Sequence, residues 1–131
     1  MTRKLVVDAS IVVDLIGRFR PRPIESLLWA DDVVLAAPEL LDIEVLQAFR
    51  RLDQDGAIPA PRGDVVDVLK ALRIRRYRHR DLCGGIWGLR HNVTAYDAAY
   101  VVLARMLGAA LVTRDAKLAA APGLDVEVLL P

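Results

Sequence analysis

The chain is short of the residues on which several large classes of protein depend. Its single cysteine, Cys83, excludes an internal disulfide and a cysteine-rich zinc site, and suits a reducing compartment. Its only two histidines, His79 and His91, each adjoin an arginine and read as solvated surface side chains. No uncharged apolar run approaches the roughly 18 residues of a membrane span. The N-terminal apolar stretch is broken by Asp8 and Asp14, so it does not read as a signal peptide. The expectation is a cytoplasmic protein with no membrane partner. Excess charge is also lacking: 18 Lys and Arg against 17 Asp and Glu leave a net charge of +1. Any contact with nucleic acid must therefore be local. Neither G-x-G-x-x-G nor G-x-x-x-x-G-K-[ST] occurs, so dinucleotide and P-loop readings lack their phosphate cradle. Aromatics make up 5%; Trp29 and Trp87 read as core or partner-facing anchors.

What is present is a 131-residue chain that is 54% hydrophobic and 27% charged, enough for one domain with a real core and not for two. Leu5, Val6 and Val7 form a short apolar run that ends at Asp8, reading as a strand buried on both faces. Apolar spacing through Ile11, Val12, Val13, Leu15 and Ile16 then predicts a helix that Asp8 or Ser10 can cap. A basic loop at residues 18–23 leads to a short helix near 24–30 and a second buried strand at 33–37. The pattern predicts helices at 39–53, with Leu41, Val45, Ala48 and Leu52 on one face, and at 63–72, separated by a turn at Gly56 and Pro59-Ala60-Pro61. A short strand at 73–77 precedes a glycine-weakened helix at 82–90 that Asn92 can end in the left-handed conformation. A helix at 98–107 ends at Gly108, and strands follow at 109–113 and 126–130 around a short helix after Asp115. Alternation of apolar strands with helices implies an α/β fold, a mainly parallel central sheet with helices on both faces and right-handed crossovers.

Four carboxylates do not sit like surface charge. Asp8 stands at the carboxyl end of a buried strand, where open α/β sheets bind ligands. Glu44 falls within the apolar stripe of its helix, among Leu40, Leu41 and Ala48. A carboxylate there must be solvated in a cleft, paired or bound to metal, since burying it alone is too costly. Asp97 completes a Thr94-x-x-Asp97 capping pattern, and Asp115 follows a strand and can cap a helix; both remain compatible with simple capping. If the strands carrying Asp8 and Asp115 are neighbours, these acids converge. An oxygen-only cluster without nearby Cys or His favours Mg²⁺, with Mn²⁺ as substitute, over zinc. The chemistry it suits is phosphodiester hydrolysis.

The segments Asp8-Ala-Ser, Pro38-Glu-Leu-Leu-x-x-Glu44-Val, Thr94-Ala-Tyr-Asp97-Ala-x-Tyr and Leu111-Val-Thr-x-Asp115 together resemble the PIN domain. More narrowly, they resemble the VapC-type toxins of toxin–antitoxin pairs. The resemblance runs from Lys4 to Leu130 and implies one PIN-like nuclease domain across residues 1–131. It further implies a metal-dependent endoribonuclease acting on RNA, with Asp8, Glu44, Asp97 and Asp115 as its acidic site and Thr94 orienting it. A homodimer and a cognate antitoxin are the partners it implies. The Gly84-Gly85 pair departs from the better helix formers of relatives. Arg73, Arg75, Arg76, Arg78 and Arg80, with Tyr77 and His79 among them, read either as a charged edge strand or as a rim contacting RNA phosphates. Two other readings stay open: a receiver-like phosphoacceptor domain, for which Lys4 and Lys117 fit poorly, and a non-catalytic RNA- or protein-binding module of the same fold. Ser10 lacks a nearby base and is set aside as a nucleophile.

Overall fold

The computed structural model describes residues 2–17, 21–56 and 64–131. Its elements in chain order are β1 (Arg3–Val7), α1 (Ala9–Gly17), α2 (Pro21–Leu28), β2 (Val33–Pro38), α3 (Leu40–Gln54) and α4 (Val65–Ala71). There follow β3 (Ile74–Tyr77), a single 3-10 turn (Arg80–Leu82), α5 (Cys83–Gly88), α6 (Ala95–Leu107), β4 (Ala110–Val112), α7 (Ala116–Ala120) and β5 (Val128–Leu129). The five strands form one sheet in the order β3-β2-β1-β4-β5, and every neighbouring pair is parallel. The chain moves outward from β1 through β2 to β3, then crosses back to β4 and β5. α1 packs against α2, α3 and α4, and α5 against α6, the two layers that right-handed crossovers on opposite sides of β1 call for. β1 is central, and Leu5, Val6 and Val7 are wholly buried, as an unbroken apolar run between two helical layers requires. Among the described residues no helix is long and apolar enough to cross a membrane.

The helix of residues 95–107 is the innermost. Every residue from Ala98 to Ala104 is buried, and a helix apolar on all sides belongs in the interior. Gly108 closes it in the left-handed conformation at φ 61°. In α3, Leu41, Val45 and Phe49 are buried, while Ala48 and Leu52 are only partly so; the apolar stripe is rotated toward Phe49.

Several boundaries differ from the sequence reading. α2 opens at Pro21 rather than near residue 24, because proline's fixed φ suits a first helical turn. The rest of that basic loop, residues 18–20, lies outside the described residues, as do Pro59-Ala60-Pro61. The helix expected at 82–90 is divided into the 3-10 turn and α5, and Asn92 does not end it in the left-handed conformation. Asn92 instead donates its side-chain amide to the Pro122 carbonyl at 3.0 Å, a tertiary use that local pattern does not reveal. The last strand shrinks to two residues, paired among the described residues with the three-residue β4 alone. Trp29 and Trp87 are exposed and are not core residues.

One glycine of α5, Gly85, also has a packing explanation. A Cβ on Gly85 would lie 2.7 Å from Val102 Cγ1 and 2.9 Å from Cγ2, so only glycine lets α5 approach α6 this closely. One on Gly84 would meet nothing within 4 Å. Gly85→Ala is therefore expected to destabilise the protein by about 1–3 kcal/mol through overpacking, whereas Gly84→Ala stabilises it by up to about 1 kcal/mol. Urea melts of the two variants and of Gly85→Ala/Val102→Ala, in which the clash is relieved, check this; equal effects at the two glycines would refute it.

Candidate active site

β1 and β4 lie side by side, with Val7 opposite Val112. Because the chain leaves this pair in opposite directions across the sheet, the crevice beyond their carboxyl ends is the topological switch point. Asp8 is the first residue past β1 and is buried there. Its Oδ1 accepts hydrogen bonds from the Ser10 hydroxyl at 2.5 Å and from the Ile11 N–H at 3.3 Å, the second being a helix cap for α1. Its Oδ2 accepts from the Thr113 hydroxyl. The two donors are themselves fixed: Ser10 Oγ accepts from the Arg114 N–H and Thr113 Oγ1 from the Asp115 N–H, each at 3.0 Å. Burial pushes the Asp8 carboxyl above the ordinary carboxylate range, and these hydrogen bonds hold it partly back.

Glu44 is the fifth residue of α3 and half-buried. Its Oε1 accepts from the Tyr100 hydroxyl on α6 at 2.6 Å. Burial raises its pKa, the tyrosine bond opposes the rise, and the charges of Asp97 and Asp8 add to it. Tyr100 is itself buried, and its phenol is pushed far up by burial, then by Glu44, Asp8 and Asp97. One buried hydroxyl thus feels carboxylates from three separate elements.

Asp97, in the first turn of α6, is raised by burial and then by Asp115, while a hydrogen bond with the Thr94 side chain lowers it. Thr94 also caps α6, accepting the Asp97 N–H at 3.2 Å. Asp115 caps α7, accepting from the Lys117 and Leu118 N–H groups at 2.9 and 3.2 Å. At both helix starts, capping coexists with the charge of the other acid nearby. The four acids are neighbours in charge without forming a closed shell: among the described residues, no three Asp, Glu, His or Cys side chains stand near enough to enclose an ion. The donor set is nevertheless all oxygen, which fits a hard cation that retains several waters and takes only one or two carboxylates.

Tyr100 and Thr113 are parts of this site that sequence reasoning did not single out, and Ser10, weighed there as a cap or nucleophile, instead holds Asp8. The available signals were hydroxyls beside acids at the ends of β1 and β4, and a tyrosine three residues, hence one turn, after Asp97. The arginine group divides. Arg76 is taken up internally: its guanidinium pairs with Asp42 at 2.8 Å and donates to the carbonyls of Leu69 and Ile74. It therefore leaves the expected phosphate-contacting rim, a correction that follows from the side-chain alternation of β3. Arg73, Arg75, Arg78 and Arg80 are exposed, with Arg75 stacked 5.1 Å from the Tyr77 ring and Arg78 paired to Asp81 at 3.2 Å.

The model of the PIN domain matches residues 5–124. The chain belongs to the PIN-domain family. This PIN domain is 42% identical over 127 residues to Ribonuclease VapC1 of Mycobacterium tuberculosis, covering 95% of this chain and 96% of that one. It is 40% identical over 115 residues to Ribonuclease VapC9 of the same species, covering 87% of each. Among solved structures it is similar to VapBC2 from Rickettsia felis bound to a DNA fragment from their promoter, with TM-score 0.67 and 16% identity over 96% of this chain and 97% of that one. It is also similar to M. tuberculosis VapC20, a sarcin–ricin loop cleaving toxin, with TM-score 0.65 and 18% identity over 88% and 93%. At those identities the structural likeness speaks to the fold, and the receiver-like alternative is set aside.

The raised carboxyls set the pH response of the metal-free protein. Asp8, Glu44 and Asp97 have folded-state pKa values above their ordinary ones, so the native state binds their protons more tightly than the unfolded chain. Their stabilising contribution is full below the ordinary carboxylate values and is lost as pH rises through the raised ones. Thermal melts in chelator are expected to show Tm rising as pH falls from neutral toward the carboxylate range, with Asp97→Asn flattening that rise and raising Tm at neutral pH. A wild-type Tm that falls steadily over the same interval would contradict the mutual repulsion.

Proposed function

We propose that this PIN domain is a metal-dependent endoribonuclease, the toxin of a type II toxin–antitoxin pair, hydrolysing RNA phosphodiester bonds at Asp8, Glu44, Asp97 and Asp115. The observation that carries the reading is Asp8, buried at the switch point beyond β1 and β4 with both oxygens held by hydroxyls, while Tyr100 holds Glu44 from α6. Desolvated acids that repel one another are costly to fold, and a cation removes that cost. The near full-length identity to Ribonuclease VapC1 supports the same activity class.

Mg²⁺, or Mn²⁺ in its place, is the ion the oxygen donors suit; Asp8 and Asp97 would hold it, with waters in its remaining positions and Glu44 and Asp115 adding negative charge around it. What such an ion supplies is Lewis acidity toward water and the scissile phosphate. The chain's own contribution is placement. Ser10 and Thr113 fix both oxygens of Asp8, Tyr100 fixes Glu44, and Thr94 fixes the start of α6. Arg73, Arg75, Arg78 and Arg80 form the phosphate-contacting rim that offsets an acidic centre otherwise repellent to RNA. The partners are a cognate antitoxin and a second copy of the chain. A cleft of about 640 Å³ places the acids Glu39 and Glu44 next to the exposed Ile43 and Tyr96. Its chemistry suits an antitoxin segment that presents apolar side chains with an Arg or Lys aimed at the acids.

Purified protein is expected to cut RNA with Mg²⁺ or Mn²⁺ and to lose the activity in chelator. Asp97→Asn should abolish cleavage while leaving a folded protein, and should reduce the rise in Tm that Mn²⁺ gives the wild type. Full cleavage by Asp97→Asn would remove the assignment, and a folded wild type inert on all RNA would leave a non-catalytic module. Arg75→Glu/Arg80→Glu should weaken RNA binding and flatten its salt dependence by about one slope unit or less per lost contact. The Mn²⁺-induced shift in Tm should be retained. Binding equal to wild type at every salt concentration would return these arginines to an edge-strand role.

A further inference from the structure

The start of α3 carries a cap that its own sequence does not supply. Glu39, at the cap position, makes no side-chain hydrogen bond to the helix, which leaves a first-turn N–H to be satisfied from elsewhere. The Leu40 N–H donates to His79 Nε2 at 2.9 Å, across 39 residues of sequence. A second bond, from the Glu39 N–H to the Tyr77 carbonyl at 2.9 Å, fastens the same entrance to the end of β3. The histidine stands on a fixed base, because its carbonyl accepts from the Leu82 N–H at 2.8 Å and from the Cys83 thiol at 3.4 Å. Leu40 and Glu44 are four residues apart and so share one helix face. His79 and Glu44 line the same cleft.

We infer that His79 is a positioning residue for Glu44, setting the carboxylate's height and direction by capping the turn of α3 beneath it. It touches neither the acids nor the reacting groups. Its Nε2 acts as an acceptor, so its proton resides on Nδ1. Tyr100 and His79 then hold Glu44 from two sides, one at its oxygen and the other through its helix. This inference rests on the reading of Glu44 as part of the metal-dependent site, and the test separates the two.

Mn²⁺ affinity is measured by titration calorimetry, and RNA cleavage by single-turnover kinetics, for wild type, His79→Ala, His79→Gln, Glu44→Gln and Glu44→Gln/His79→Ala. His79→Ala is expected to weaken Mn²⁺ binding and slow cleavage by about tenfold, the low end of what supporting residues contribute. His79→Gln, whose amide oxygen can accept the Leu40 N–H, is expected to restore most of both. In the Glu44→Gln background, His79→Ala should cost little more. Full additivity, or equal losses in the alanine and glutamine variants, overturns the inference, as does wild-type behaviour of His79→Ala where Glu44→Gln is impaired. If Glu44→Gln itself binds Mn²⁺ and cleaves like wild type, the Glu44 assignment fails and takes the inference with it. Should the alanine variant not fold, ¹⁵N spectra of wild-type His79 still decide: the Nδ1–H tautomer supports the cap, and the Nε2–H tautomer excludes it.

Discussion

The structure depends on the way Asp8 is held. A carboxylate at the end of the central strand is a costly thing to bury, and it is tolerated because both oxygens are hydrogen-bonded. Those bonds do more than satisfy Asp8. Thr113 brings the end of β4 against the end of β1, Ser10 ties the start of α1 to the backbone of Arg114, and Thr113 in turn fixes the Asp115 backbone. One charged residue thus sets the spacing of the crevice in which the other acids stand. The Arg114 side chain reinforces the same junction through its 2.7 Å pair with Asp14, both partners being largely buried.

Around that junction the protein carries a built-in electrostatic conflict. The ordinary way to lower it would be to pair each acid with a cation. Arg76 and Arg114, the cations with the best buried pairing, are instead directed to Asp42 and Asp14, outside the cluster. The acids are restrained by hydroxyls, from Ser10 and Thr113 on Asp8 and from Tyr100 on Glu44, which hold a carboxylate in place without neutralising it. Such restraint favours the charged form against the burial that raises these carboxyls. α6 is central to this arrangement: its small, wholly apolar body lets it lie deep, its first turn carries Asp97, and its second presents Tyr100 to Glu44.

Much of the fold was legible because its strands are apolar runs and its helices have clear stops. The strand ending at Asp8, the αL glycine at 108 and the caps at Thr94 and Asp115 all follow from local patterns. Glu44 stood out as a charge inside an apolar stripe, and the fold half-buries it against Tyr100. What failed to show was whatever depends on a partner distant in sequence. The retreat of Arg76 from the basic rim is decided by Asp42, the amide role of Asn92 by Pro122, and the capping role of His79 by Leu40. Each of these residues reads locally as a solvated or turn-forming side chain, and each is drawn out of that role by a group that the fold brings alongside.

By itself, then, the sequence determined that this protein is an α/β PIN domain with acids at strand ends and helix starts. Apolar periodicity and capping are short-range effects, written within a few residues of where they act. Only the tertiary structure decided that β1 neighbours β4, that a buried tyrosine holds Glu44, and that α3 is capped by a histidine from beyond β3. Those outcomes depend on strand order and helix approach, including the contact that Gly85 permits with Val102. Strand order and packing are settled by the whole core together, and no local stretch of chain encodes them.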